Sequence, residues 1–233
     1  MWEANFMHIH NWEGECSYLN PGLLDFSLKN SDFFYDYTNA DHARAVYKTG
    51  FESAEFNYWR FVSWKKDDYV SVSWTAGLRY FFIPEEVRVA YEKGGDKSSG
   101  EIEVTNHIGA LQAGGSIQWN PARWLSWDLF LKGGGGYGWA HLKNHFRDYN
   151  NTVTLFNFEV DGYSWPFFVD LGLILDWQIA NWFNLHAGYQ MIYLNAFTTA
   201  PDQLVKHPHP DHHINPNGAT IVYGLSGGLT FSF

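Results

Sequence analysis

Hydrophobicity alternates with a period of two through most of this chain, and no helical period competes with it. In YVSVSWTAGLRYFF, Val70, Val72, Trp74, Ala76, Leu78 and Tyr80 fall on one face. Ser71, Ser73, Thr75, Gly77 and Arg79 fall on the other. Successive side chains of a β-strand point to opposite faces, so each such stretch is a strand with one greasy and one small polar side. The same split recurs three more times. Leu125, Trp127, Leu129 and Leu131 oppose Ser126, Asp128 and Lys132. Phe167, Val169, Leu171, Leu173, Leu175 and Trp177 oppose Asp170, Gly172, Asp176 and Gln178. Phe183, Leu185, Ala187, Tyr189, Met191 and Tyr193 oppose Asn184, His186, Gly188 and Gln190. The final residues continue it, with Tyr223, Leu225, Leu229, Phe231 and Phe233 against Gly224, Ser226, Gly228 and Thr230. The segment EIEVTNHIGALQAGGSIQW alternates in two halves whose phase slips near Gly109–Ala110, which predicts a bulge. With FESAEFNYWRFVS and WEANFMHI, about eight strands are expected.

Connections carry a second signal. Residues 65–68, 120–123 and 180–181 make short links, whereas 11–50, 93–100, 144–165 and 196–218 read as long ones. Short and long alternate, as in transmembrane barrels with tight periplasmic turns and long outer loops. No run approaches the roughly 18 apolar residues of a membrane helix. A soluble barrel would turn its apolar face inward and its polar face to water. Here the polar face is mostly Gly, Ser and Thr, too small and bland for a solvated exterior. Trp124, Trp127, Trp177, Trp182, Tyr80, Tyr137 and Trp139 fall near expected strand ends, as interfacial girdles do. The expectation is therefore one all-β domain over 1–233, an antiparallel transmembrane barrel in a bacterial outer membrane. Membrane lipid and the barrel assembly machinery are its expected partners. The net charge of −10 speaks against nucleic acid. The single Cys16 excludes an internal disulfide framework and a Cys-rich zinc site. MWEANFMHIH has neither the basic start nor the apolar run of a signal peptide. That leaves a cytosolic protein or a chain whose front is missing, and the membrane reading selects the second.

Several blocks resemble a known family. FESAEFNYW, TAGLRYFFIPEE, IGALQAGGSIQW and GYQMIYLNAFTTAPDQL, followed by GLSGGL, are similar in order and spacing to the outer-membrane β-barrel porin family known mainly from planctomycetes and related bacteria. The matching blocks run from about Phe51 to the C-terminus. The terminal SGGLTFSF resembles the outer-membrane assembly signal, with Ser226, Gly228, Phe231 and Phe233 in its positions. The resemblance implies a channel without naming a solute. It also implies a signal peptide and further N-terminal sequence, absent from this chain.

On the polar register lie Glu55, Arg79, Asp128, Lys132, Asp170, Asp176 and His186. Isolated charges in a narrow lumen are costly, so Arg79 and Lys132 are expected to pair with carboxylates. As pore-lining groups they would bias ion passage, with the excess of carboxylates favouring cations. They would equally serve as an ion network filling the lumen. No acid–base–nucleophile set stands out, so no enzyme and no cofactor is expected. KHPHPDHH offers His207, His209, Asp211, His212 and His213 as weak metal-ligand candidates, and clustered loop His is more often polar surface. GGGGYG at 133–138 lacks the Gly-Lys-Ser/Thr ending of a phosphate loop and sits in a strand. It is expected to make room for a curved wall or a large crossing side chain. HLKNHFRDYNN reads as a solvated loop base. Two functions remain open: a porin-like passive diffusion channel, or a non-conducting structural or surface-interaction barrel. Strand number separates them, since about eight strands leave an interior just filled by side chains.

Overall fold

The structure is a computed structural model that describes residues 1–24, 40–62, 69–148, 150–180, 182–204 and 214–231. The described chain is almost wholly β. Its strands are β1 (Trp2–Leu24), β2 (Ala40–Phe61), β3 (Val70–Lys93), β4 (Asp96–Ala122), β5 (Leu125–Asp148), β6 (Val153–Ser164), β7 (Phe167–Ala180), β8 (Phe183–Phe197) and β9 (Gly218–Phe231). One short helix, α1 (Ala200–Leu204), follows β8. Every pairing is antiparallel, and apart from β6 and β7, which both pair with β5, neighbours in the chain are neighbours in one sheet.

β6 and β7 occupy one strand position. Both pair with β5 in a common register, Gly138 opposite Ser164 and Gly135 opposite Phe167. Trp165 and Pro166 interrupt them, and Pro166, with no N–H, cannot donate to the ladder. Its carbonyl still accepts from Gly136 N at 3.0 Å. Among the described residues the sheet thus has eight strand positions, against the about eight strands expected.

The alternating faces are arranged as expected. In β3 Val70, Val72, Trp74, Leu78 and Tyr80 are exposed, while Ser73, Thr75 and Arg79 are buried. The buried side is concave. Phe81 on β3 and Phe168 on β7 meet edge to face with centroids 5.1 Å apart, although β4 and β5 lie between their strands. Strands three positions apart in a flat sheet would be separated by roughly 14 Å. Met7 of β1 and Val222 of β9 pack against the same cluster, so both ends of the sheet reach one interior.

Three expectations are corrected. Three of the four long connections, 11–50, 93–100 and 144–165, are mostly strand in their described residues, whereas 196–218 holds α1. The link at 93–100 shrinks to Gly94–Gly95, both at positive φ, between the paired Lys93 and Asp96. This is the two-residue turn that right-twisted strands favour, and the Gly pair admits it without Cβ strain. Residues 141–148 extend β5, and the 144–165 link is a hairpin turning at Asn150 and Asn151, both at positive φ. Much of 11–50 belongs to β1 and β2. Second, no bulge occurs at Gly109–Ala110, where pairing with β3 and β5 is continuous. Register shifts lie elsewhere, among them one in β1 between Ile9 and Trp12 and one at the lower end of β4 between Trp119 and Ala122. Third, Tyr80, Tyr137 and Trp139 sit near mid-strand, because the strands continue beyond them. The 65–68 link lies outside the described residues.

The false bulge has a physical origin. In the half of β4 near the 120–125 turn, here the lower half, the concave side is polar (Gln112, Ser116) and the convex side apolar (Leu111, Ile117, Trp119). In the upper half Ile102, Val104 and Ile108 are concave and buried, while Glu101 and Glu103 are convex. The strand does not slip at Gly109–Ala110. The chemistry of its two faces exchanges. β3 does the same, with Arg79 the last polar concave residue before Phe81 and Ile83.

Candidate functional site: the buried charge network and its cavity

The polar concave half holds a network of buried ions. Asp170 on β7 is fully buried and receives Arg79 Nη1 at 2.5 Å. Gln190 Nε2 of β8 donates to both Asp170 oxygens at 2.9 and 3.0 Å. Arg79 Nε donates to Ser53 Oγ at 2.8 Å, and Nη1 lies 3.9 Å from Glu55. Glu55 in turn accepts from Lys132 Nζ at 2.8 Å and from Gln112 Nε2 at 2.8 Å. Gln112 also donates to Asn57 Oδ1 at 2.5 Å. Two cations and two carboxylates thereby form one chain from β7 through β3 and β2 to β5. Burying such charges is tolerable only when they are paired and hydrogen-bonded, and each of these four ions has an opposite charge beside it.

Aromatic rings complete the shell. The Arg79 guanidinium lies 4.8 Å from the Phe81 centroid and 5.1 Å from that of Phe168. Lys132 Nζ lies 5.2 Å from the Phe130 centroid and 5.7 Å from that of Trp59. Ring faces attract cations, more so when water is excluded.

A cavity of about 330 Å³ adjoins the network, lined among others by Glu3, Glu55, Arg79, Asp128, Lys132 and Gln190. Glu3 accepts hydrogen bonds from Asn5, Asn57 and the Trp59 indole. Asp128 is half-buried, with one carboxylate oxygen shielded and unpartnered. Toward the lower end Asp176 and His186 are cross-strand partners on β7 and β8. The imidazole of His186 occupies the space over Gly228, where a Cβ would come within 2.3 Å of Nε2.

Above the network two apolar clusters dominate the interior. Phe51, Phe81, Ile83, Ile108, Phe168, Ile192, Leu194 and Phe197 form one buried cluster. Val87, Val89, Ile102, Val104, Leu142, Phe146 and Ala200 form a second, farther up. The glycine run serves this packing. Gly134 faces inward, and a Cβ there would lie 2.8 Å from the Phe168 ring.

On the convex side, aromatic residues frame the apolar lower half. Near its upper border Tyr80 hydrogen-bonds His107 at 2.7 Å, His107 stacks on Trp139, and Tyr137 contacts Tyr163 and Trp165. At its lower border Trp124 packs on Trp177 and Trp182 on Phe183. Above the belt the convex face is a lattice of mixed charge. Arg44 grips Glu15 with two hydrogen bonds, Arg88 meets Glu86 and Glu101, and His141 and Lys143 meet Glu159.

Of the residues singled out in the sequence, Glu55, Arg79, Lys132 and Asp170 are brought together. Asp128 borders the same cavity, and Asp176 with His186 forms a separate pair. Ser226 and Gly228 lie on β9, and Phe231 is its last residue. Phe233 and the candidates His207, His209, Asp211, His212 and His213 lie outside the described residues. Among the described residues no group of His, Cys, Asp and Glu is arranged to hold a metal ion. Ser53, Asn57, Gln112, Gln190 and Glu3 went unselected in the sequence. They share the polar register, but the four neutral amides and hydroxyls give no signal until their partners are known, and Glu3 is a carboxylate on the same face.

Compared with known proteins, the chain matches no family model, no curated protein and no solved structure.

Proposed function

We propose that this chain is an eight-position β-barrel of the bacterial outer-membrane type, closed where β1 meets β9. Its lower half would sit in hydrocarbon, and its interior would be a plug and not a pathway. The observation that carries the reading is the exchange of face chemistry along continuous strands. A wall that is apolar outside and polar inside, then charged outside and apolar inside, matches two solvents stacked along one axis. From Trp127 to Tyr137 the convex face of β5 runs roughly ten residues, which at the usual strand rise and tilt spans about 25 Å, the height of an outer-membrane apolar band. An even number of strand positions lets the first and last meet antiparallel. The resemblance to the porin family supports the membrane placement.

The filled interior favours the non-conducting reading over the diffusion channel. Eight strands leave a lumen just wide enough for side chains. Here ion pairs fill its middle, and two apolar clusters lie above them. The barrel would act as a membrane anchor that carries a charged, hairpin-built wall into the water above. That wall, and not the lumen, would do the interacting.

The test is reconstitution. Refolded protein is expected to insert into lipid vesicles, show heat-modifiable gel migration, and carry no current across a planar bilayer. Stepwise ohmic conductance from the folded species would restore the porin reading. Failure to enter vesicles would overturn the membrane placement.

A further inference from the structure

The segment after β8 does not leave the sheet freely. At Ala196 the backbone takes φ 59°, a conformation non-glycine residues rarely adopt, and Ala196 N donates to the Asn195 side chain at 2.7 Å. The chain then doubles into the upper interior, where Phe197, Thr198, Ala200 and Gln203 are buried. Three anchors hold it. Asn106 on β4 donates to Thr198 O at 2.7 Å and accepts from Thr198 N at 3.3 Å. Gln203 donates to Asn215 O at 3.0 Å and accepts from Asn215 N at 3.1 Å. Glu85 on β3 accepts from Ala200 N at 2.7 Å.

The third anchor is of a different kind from the other two. Glu85 is a buried carboxyl beside the cluster of Val87, Val104, Leu142 and Ala200. From β2 it is faced by the Tyr47 side chain and by Thr49. From β4 come Val104 and Asn106, and from α1 comes Asp202. Glu86 and Glu103 stand on the opposite, convex face. Among the described residues no cation lies within salt-bridge distance of Glu85. An ionised Glu85 would therefore be a buried charge without a counter-ion, close to a second carboxylate.

We propose that Phe197–Gln203 is a latch over the upper interior, closed while Glu85 is protonated and released when it ionises. Release would move Ala200 and Asp202 away and admit water to the carboxylate. Burial pushes Glu85 up to about 7, with Asp202 adding to it and the bond from Ala200 and the Tyr47 side chain opposing. The folded-state value lies above the ordinary carboxylate range. The latch's stability is therefore fully present below that range and lost as pH rises through about 7. The device belongs to the upper half and does not depend on membrane placement.

Hydrogen exchange on the folded full chain tests it. Protection factors of Thr198–Gln203 amides, corrected for intrinsic exchange, are expected to fall at least about tenfold from pH 5.5 to 8.5. They should stay level across that range in Glu85→Gln, and the midpoint should move to lower pH in Asp202→Asn. A flat wild-type profile, or an equal fall in Glu85→Gln, would overturn the latch. Should Glu85→Gln not fold, Asp202→Asn decides alone, and an unmoved midpoint would overturn it.

Discussion

Arg79 on β3 and Asp170 on β7 meet at 2.5 Å across a concavity, with two strands of the sheet between their own. Both side chains are almost wholly removed from solvent. The pair therefore reports the curl of the sheet as much as it reports charge. Breaking it by removing one partner leaves the other buried and uncompensated.

Arg79→Met and Asp170→Asn are each expected to cost about 3–5 kcal/mol of stability, the usual range for orphaning a buried ion. The double variant should lose less than the sum of the singles, because neither ion is then left unpaired. Denaturant unfolding of the four proteins measures the coupling. Singles costing under about 1 kcal/mol would show the pair to be water-accessible.

The convex belt makes a different demand. Leu171 lies on it beside Leu131 and Met191, and Leu171→Arg should cost about 2–4 kcal/mol in a bilayer. Ser126→Arg, concave and opposite Asp176, should cost less. Equal damage, measured by folding in vesicles, would sink the orientation of the faces.

Two adjacent glycines separate packing from backbone freedom. At Gly134 a Cβ would meet Leu111 O at 2.2 Å and the Phe168 ring at 2.8 Å, whereas at Gly135 its nearest neighbour is 3.5 Å away. Gly134→Ala is expected to destabilise by about 1–3 kcal/mol through overpacking. Gly135→Ala should be neutral or slightly stabilising. Unfolding midpoints that agree between the two would contradict the inward placement of Phe168.

The surface lattice should matter little to stability. Arg88 and Glu101 pair at 2.8 Å while substantially exposed. Glu101→Gln is expected to change unfolding free energy by less than about 1 kcal/mol, with the difference shrinking in high salt. A larger, salt-insensitive loss would mark the lattice as a cooperative unit.

The sequence by itself determined the local order. A period of two admits only strands, so the class, the antiparallel meander and the exposed register Val70, Val72, Trp74, Leu78 were legible. So was the shared polar register of Arg79, Lys132 and Asp170, because parity puts each on the same face as the small polar residues of its strand. Tertiary structure decided the rest. Parity does not say which face is concave at a given height, so the exchange at Gly109–Ala110 looked like a slipped strand. Polar convex residues such as Arg44, Lys97 and Arg147 looked like loop and were exposed strand. Which cation meets which carboxylate depends on how far the sheet curls, and that curl arises from packing among residues distant in the chain. Phe81 and Phe168 meet only because Gly134 leaves them room. No local pattern in either strand carries that information.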